Sequence, residues 1–116
     1  MIPFYNNITS TENGVFIKKR LMKAAIYNFQ SWIKETDPEQ LKRELSALLD
    51  EAGFVTLNLS DHHFQPQGYT GVWLLSESHL AVHTFPEEQK TYVELSSCNQ
   101  SKNERFIKLL NKSKII

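Results

Sequence analysis

The sequence has a single cysteine, no long apolar run and no excess of either charge. Because Cys98 is alone, it cannot form an internal disulfide or build a structural zinc site by itself. The longest apolar runs have four residues, as in 72–75, whereas a membrane helix needs about 20. Lys plus Arg and Asp plus Glu each number 13, which leaves no basic surplus for binding phosphates. We therefore expect neither a membrane nor a nucleic acid as a partner.

What remains is the composition of an ordinary globular protein. The chain has 116 residues, of which 41% are hydrophobic and 22% are charged. This size suits one domain spanning 1–116 with one core. Residues 1–10 contain no basic stretch leading into an apolar segment, so we expect no secretory signal and a cytoplasmic location.

Two segments have helical periodicity. Asp37 is a suitable N-cap, Pro38 a suitable first helical residue and Gly53 a suitable stop. Between them, apolar residues recur at helical spacing: Leu41, Leu45, Leu48, Leu49 and Ala52. This pattern predicts a helix over 38–52 that packs its leucine stripe on a sheet. A second amphipathic helix is predicted over 102–111.

Five segments have the character of strands: 22–29, 55–60, 72–75, 80–85 and 91–97. Polar and apolar residues alternate in the second segment. The third, Val72–Leu75, is apolar throughout, and we predict that it is buried on both faces. The order strand, helix, several strands, helix predicts an α+β fold. We expect a two-layer sandwich with two helices on one face of a mainly antiparallel sheet.

One local run, Leu75–Glu87, concentrates the residues that carry chemistry; its sequence is LSESHLAVHTFPE. This run resembles the processing-site signature of the small bacterial S-adenosylmethionine decarboxylases. The resemblance extends upstream to Phe64 and Thr70 and downstream to Cys98. Members of this family make a pyruvoyl group from their own chain, so the resemblance implies that this chain does the same.

The resemblance implies that the precursor cuts itself between Glu77 and Ser78 into a β chain, 1–77, and an α chain, 78–116. The Ser78 hydroxyl would attack the Glu77 carbonyl and convert the amide into an ester. Loss of the Ser78 α-proton would then expel the Glu77 carboxylate by β-elimination, and the residue left behind would hydrolyse to a pyruvoyl ketone. Such a ketone forms a Schiff base with the substrate amine and takes up electrons when carbon dioxide leaves.

The same resemblance implies roles for five further residues. No metal site is expected, because His79 and His83 would lie about 13 Å apart on a strand. His83 would be the base or proton carrier of processing, and the Thr70 hydroxyl would steady the intermediate. Cys98 would protonate the carbanion after decarboxylation, because a thiol with a pKa of about 8.5 is mostly protonated at neutral pH. Phe64 would stack on the adenine of S-adenosylmethionine, and Glu87 would accept hydrogen bonds from its ribose hydroxyls.

The spacing of Ser78 and His83 has a consequence for assembly. Five residues on an extended strand span about 16 Å, so these two side chains are not expected to touch within one chain. A symmetric pair of chains would bring them together twice with one operation. The family resemblance likewise implies a homodimer with shared sites. One subunit would supply Phe64, Thr70, His83 and Glu87, and the other would supply Ser78 and Cys98.

Some positions depart from the family pattern and leave the substrate open. The stretch 88–94 lacks the usual glycine-rich or aromatic character, and Asn99 replaces a glycine. The leading hypothesis is decarboxylation of S-adenosylmethionine for spermidine synthesis. A related pyruvoyl enzyme acting on arginine or ornithine is one alternative, and a non-processing homologue that serves as a binding or regulatory partner is another. Four retained residues favour an enzyme: Glu77, Ser78, His83 and Cys98.

Overall fold

The fold is a five-stranded sheet with two helices, described over residues 24–116 of a computed structural model. The elements are β1 (Tyr27–Ile33), α1 (Pro38–Ala52), β2 (Thr56–His63), β3 (Tyr69–Leu75), β4 (Ser78–Phe85), β5 (Lys90–Ser97) and α2 (Gln100–Asn111). The strand order is β1-β5-β4-β3-β2, and every neighbouring pair is antiparallel. The predicted α+β fold is confirmed. Residues 1–23, including the start of the strand predicted over 22–29, lie outside the described part.

Helix α1 forms where its local signals predict it. The Asp37 carboxylate accepts a hydrogen bond of 2.9 Å from the Gln40 amide, which satisfies a free N–H at the first turn. Gly53 ends the helix with a φ of 99°, a left-handed conformation that glycine adopts without a steric penalty. All five residues of the predicted apolar stripe are buried. Helix α2 is slightly longer than predicted because Asn99 caps it two residues earlier, at Gln100.

The strands differ from the predictions in extent and in one face. Strand β2 continues to His63, beyond the predicted end at 60, and β1 runs on to Ile33, beyond the predicted end at 29. The prediction that Val72–Leu75 is buried on both faces is wrong, because Val72 and Leu74 are 37% and 50% exposed. Both described helices contact the sheet from one side, so only alternate residues of β3 are buried.

Two buried aromatic residues of β3 donate hydrogen bonds to neighbouring elements, one to α1 and one to β2. Trp73 is fully buried, and its Nε1 donates to Ser46 Oγ on α1 at 3.0 Å. The buried Tyr69 hydroxyl donates to Asp61 Oδ2 on β2 at 2.7 Å. Between these two aromatic residues lies Gly71, where an added Cβ would meet the Tyr69 hydroxyl and the Trp73 ring at 3.1 Å. The absent side chain therefore gives both aromatic residues their space.

The opposite side of the sheet, which no described helix covers, is called the open face below. On the three central strands it carries Thr70, Val72, Leu74, His79, Ala81, His83, Phe85, Tyr92, Glu94 and Ser96. This face contains polar side chains together with exposed apolar ones. Of the predicted site residues, Thr70 and His83 lie on this face.

Candidate active site

A row of ring-bearing and hydroxyl side chains crosses the open face. Strand register pairs His62 with Thr70, Thr70 with His83, His83 with Tyr92, and Tyr92 with Trp32. Each pair comes from neighbouring strands, so the row runs across all five. Cross-strand partners on one face lie within contact distance, which is why residues far apart in sequence meet here.

The His83 ring is held from two sides within this row. A hydrogen bond of 3.0 Å joins its Nδ1 to Thr70 Oγ1 on β3. On the β5 side, the Tyr92 ring lies nearly parallel to the imidazole, with centroids 6.3 Å apart and planes inclined by 16°. Among residues 24–116 no hydrogen bond reaches Nε2. Thr70 and His83, predicted to act together, are therefore in direct contact, and Nε2 is the nitrogen left to exchange a proton.

Phe64 and Glu87 lie at the same end of the sheet as this pair. Phe64 follows β2 directly and is 49% exposed. It lines a cleft of about 480 Å³ between the β2–β3 loop and the start of α1. Gln67 in the same loop donates from Nε2 to Glu87 Oε1 at 3.4 Å. The four residues predicted to come from one subunit are thus grouped at one end of the sheet.

The predicted cleavage site lies at the other end of β4. Leu75 pairs with Ser78 across a two-residue turn, and Glu77 in that turn has a φ of 62°, which is uncommon for a residue with a side chain. Ser78 pairs with Ser97 on β5, so the next residue, Cys98, lies beside the turn. Its Sγ donates to Glu77 Oε1 at 3.4 Å.

The surroundings of Cys98 favour its protonated form. The residue is exposed, yet partial desolvation raises the pKa of the thiol, and the hydrogen bond to Glu77 raises it further. Lys102 on α2 acts in the opposite direction as the nearby positive charge. The thiol at this end of the sheet is therefore suited to donate a proton.

Ser78 and His83 do not meet in one chain. Ser78 is 8% exposed and lies on the helix side of β4, whereas His83 lies on the open face. Five residues of strand separate them, about 16 Å of extended chain. The chain gathers four of the predicted residues at one end of β4 and three at the other.

Sequence reasoning assigned no role to three side chains of the row, His62, Tyr92 and Trp32. The pairing of β5 with β4 brings Tyr92 beside His83, and the pairing of β5 with β1 brings Trp32 beside Tyr92. It also missed the contact of the Glu77 carboxylate with Cys98. The alternation of Thr91 to Ser97 predicts a strand but does not state which residue of β4 each one faces.

Comparison with known protein families shows which family this chain belongs to. A model of the S-adenosylmethionine decarboxylase family matches residues 23–113. The chain belongs to the S-adenosylmethionine decarboxylase family. The match to this S-adenosylmethionine decarboxylase family contains the whole sheet, both helices and every residue that the motif analysis selected.

Several individual relatives carry the name S-adenosylmethionine decarboxylase proenzyme. The protein of Prochlorococcus marinus (strain MIT 9313) is 40% identical over 78 residues, which cover 66% of this chain and 62% of that protein. The protein of Acetivibrio thermocellus is 40% identical over 80 residues, covering 69% and 58%. For the protein of Synechococcus sp. (strain WH7803) the covered share is 51%. The chain spans between about half and three-fifths of the length of these relatives.

A solved structure supports the architecture. The adenosylmethionine decarboxylase from Aquifex aeolicus VF5 superimposes with a TM-score of 0.60 over 82% of this chain and 88% of that chain. At 24% sequence identity the likeness establishes the fold of this family member. None of the helices within residues 24–116 combines the length and apolar character needed to cross a membrane.

Proposed function

We propose that this chain is a self-processing, pyruvoyl-dependent decarboxylase of S-adenosylmethionine. The observation that carries the proposal is the division of the motif residues into two groups at opposite ends of β4. One group contains Thr70 hydrogen-bonded to His83, and the other contains Glu77 hydrogen-bonded to Cys98 beside Ser78. Each group holds half of what processing and decarboxylation require.

Processing would begin at the Glu77–Ser78 peptide. The Ser78 Oγ attacks the Glu77 carbonyl carbon, and the C–N bond breaks to give an ester and a free amine on Ser78. Removal of the Ser78 α-proton then expels the Glu77 carboxylate and leaves dehydroalanine. Water converts the resulting enamine into a ketone and releases ammonia. The products are a β chain of 1–77 and an α chain of 78–116 that begins with a pyruvoyl group.

The orientation of Ser78 supports a specific role for His83. Since the four substituents of an α-carbon are tetrahedral, a side chain on the helix face turns the α-hydrogen away from that face. An imidazole that approaches from the open face therefore meets the α-hydrogen of Ser78 before its hydroxyl. We assign His83 as the base of the β-elimination, with Thr70 fixing its Nδ1.

The residues at the cleavage end fit a pyruvoyl group. When formed, this group supplies the carbonyl that withdraws electrons as the substrate carboxylate departs. Ser78 provides its atoms, and Cys98 lies one residue beyond the cross-strand partner of Ser78. The raised pKa keeps the thiol protonated at neutral pH, so Cys98 is suited to deliver a proton from Sγ after carbon dioxide leaves.

A homodimer would complete both sites. A two-fold axis parallel to the sheet and perpendicular to β4 would place one open face on the other, with the two copies of β4 in opposite directions. The Thr70–His83 end of one chain would then cover the Glu77–Ser78 end of its partner. Apolar side chains exposed on the open face, Val72 and Leu74, would be buried by this arrangement.

Substrate recognition would come from the Thr70–His83 end. Phe64 is exposed beside the cleft and can stack on an adenine, and the Glu87 carboxylate can accept hydrogen bonds from two ribose hydroxyls. The product would supply the aminopropyl group for spermidine synthesis in the cytoplasm.

Mass spectrometry of the denatured protein tests the self-processing. We expect two chains corresponding to 1–77 and 78–116, with the second lacking an amine at its N-terminus and gaining two hydrogens on borohydride reduction. Ser78→Ala should remain whole, and Cys98→Ala should split but turn over slowly. A wild-type chain that stays whole after long incubation contradicts the proposal and favours a non-processing homologue.

The substrate needs its own measurement. Carbon dioxide release should occur from S-adenosylmethionine and not from arginine or ornithine. The reverse result on a fully split protein would retain the pyruvoyl chemistry and assign a different amino acid as the substrate.

A further inference from the structure

Tyr92 is the one aromatic side chain that lies against the His83 ring among the described residues. The two are direct cross-strand partners, and their rings are nearly parallel at 6.3 Å between centroids. This separation lies within the range of favourable aromatic pairs. Tyr92 is half-buried on the open face, on the side away from the helices, so its ring is not part of the hydrophobic core between sheet and helices.

The Tyr92 ring is itself fixed by its neighbours. Its hydroxyl donates to Glu94 Oε1, two residues along the same face of β5, at 3.1 Å. On the far side, the Trp32 ring meets it edge-on, with centroids 5.5 Å apart and planes inclined by 61°. The Trp32 ring in turn packs against the Phe85 ring, with centroids 5.8 Å apart. The Lys90 Nζ lies over the Trp32 ring, 4.2 Å from its centroid. A ring held on two sides provides a defined surface for the imidazole.

His83 needs such a surface because its own side chain does not define the ring orientation. The χ2 torsion of histidine is broad and has no sharp staggered minimum. The Thr70 hydrogen bond fixes the position of Nδ1, but an imidazole can still tilt about that contact. The neighbour two residues earlier on the same face, Ala81, is too small to prevent this motion.

We propose that Tyr92 is a positioning residue for His83, which fixes the plane of the imidazole so that Nε2 is presented to the site of proton transfer. The proposal rests on the assignment of His83 as the processing base. Tyr92 touches neither the scissile peptide nor the reacting atoms within the chain, and it acts through the imidazole that it contacts. Because the contact is made by the ring, phenylalanine should replace tyrosine and an aliphatic residue should not.

The first measurement is the rate constant of self-cleavage for Tyr92→Phe, Tyr92→Leu and Tyr92→Val. We expect Tyr92→Phe to split within about twofold of the wild-type rate, and both aliphatic variants to split about tenfold or more slowly, since small misplacements of a reacting group are costly. Ser96→Ala is the matched control, because Ser96 lies on the same face of β5 but pairs with His79. Wild-type rates in the two aliphatic variants would overturn the proposal.

The second measurement does not depend on processing. In the uncleavable Ser78→Ala background, the ring signals of His83 are compared by nuclear magnetic resonance with tyrosine, phenylalanine or leucine at position 92. The ring-current shift of the imidazole protons should persist with phenylalanine and disappear with leucine. Unchanged His83 signals in the leucine variant would overturn the positioning role, whatever the cleavage rate of the Tyr92→Leu chain.

The two measurements separate the proposals. If the wild-type chain never splits, the proposed function fails, while the magnetic resonance comparison still decides whether the Tyr92 ring lies against His83. If the wild-type chain splits and neither rate nor signals respond to the loss of the ring, the assignment of Tyr92 alone fails.

Discussion

At the proposed cleavage site, the side chain of Glu77 has a contact of its own in addition to the carbonyl that Ser78 would attack. Its left-handed backbone closes the turn between β3 and β4, and its carboxylate accepts the hydrogen bond from the Cys98 thiol. The same residue therefore shapes the proposed scissile peptide and holds the Cys98 thiol, the proposed proton donor, beside it. A neutral amide at this position would retain the shape and lose the charge.

Glu77→Gln in the Ser78→Ala background should make the thiol more reactive. Desolvation is the largest cause that raises the pKa of the Cys98 thiol, and the Glu77 carboxylate is the next. Removing this carboxylate therefore lowers the thiol pKa and increases the thiolate fraction at a given pH. Alkylation by iodoacetamide near pH 7.5 should become several-fold faster, with its pH profile displaced to lower pH. Lys102, the other charge that acts on the thiol, is unchanged in this variant.

Glu88→Gln provides the control for that measurement, because Glu88 is paired with Lys90 at 3.3 Å and does not contact Cys98. An alkylation profile that is identical for Glu77→Gln and its parent would show that the hydrogen bond is absent in solution.

Asp61 gives a second prediction about a single residue. The hydrogen bond from Tyr69 is the main cause that lowers the pKa of Asp61 below its ordinary 3.8. The Asp61 carboxylate therefore binds a proton more tightly in the unfolded chain than in the folded one. The ionised carboxylate stabilises the fold above pH 3.8, and this stabilisation is lost as the pH falls through the lower pKa of the folded state. Tyr69→Phe should unfold more easily than wild type at neutral pH, and urea titrations should show the difference narrowing in acid. A constant difference would contradict this assignment.

The motif selects the residues proposed to react, but it does not identify their neighbours. Ser78, His83 and Cys98 stand at fixed spacings in a contiguous stretch, and such spacings can be read directly. Tyr92 meets His83 only because β4 and β5 pair in one particular register. The alternation of a strand specifies which residues share a face, but not which residue of the next strand each one opposes.

At the scale of elements, helix α1 was predictable because its signals are local. Its cap, first-turn proline, apolar stripe and terminating glycine all lie within 37–53. The burial of β3 was not predictable in this way, since its exposed face depends on where the helices pack. An unbroken apolar run such as Val72–Leu75 is compatible with a strand covered on both sides or with one that faces another subunit.

Removing the cap of α1 should destabilise the fold by about 1 kcal/mol. Asp37→Ala leaves the Gln40 amide without the acceptor it has at 2.9 Å, while Asp37→Asn retains a capping oxygen and serves as the control. Urea unfolding of both variants in the Ser78→Ala background measures the effect on an intact chain. Equal stabilities of the alanine and asparagine variants would mean that the hydrogen bond makes no net contribution.

At the scale of the whole molecule, the described part of the chain holds the proposed site residues in two separate groups. Thr70 and His83 occupy one end of β4, and Glu77, Ser78 and Cys98 occupy the other, with the strand length between them. The spacing in the sequence predicts that Ser78 and His83 are apart, and the fold adds that they lie on opposite sides of the sheet. What the spacing does not reveal is that neither helix within residues 24–116 covers the open face.

A mixing experiment tests the proposed sharing of sites between two chains. Ser78→Ala retains His83 but has no nucleophile, and His83→Ala retains Ser78 but has no base, so neither should split efficiently alone. In the proposed dimer, when it contains one chain of each kind, the Ser78 of the His83→Ala chain would meet the intact His83 of its partner. That chain should therefore be cleaved, whereas the Ser78→Ala chain should remain whole.

Different affinity tags on the two chains let mass spectrometry identify which one is split after co-expression. Co-expression of two differently tagged His83→Ala chains gives the background rate, because no dimer in that sample contains an intact base. Cleavage of the His83→Ala chain well above this background requires a histidine supplied by the other chain. If mixed dimers form and the His83→Ala chain is no more cleaved than in the background sample, the base and the serine do not come from different chains. Each chain would then have to bring Ser78 and His83 together within itself, in spite of the strand that separates them.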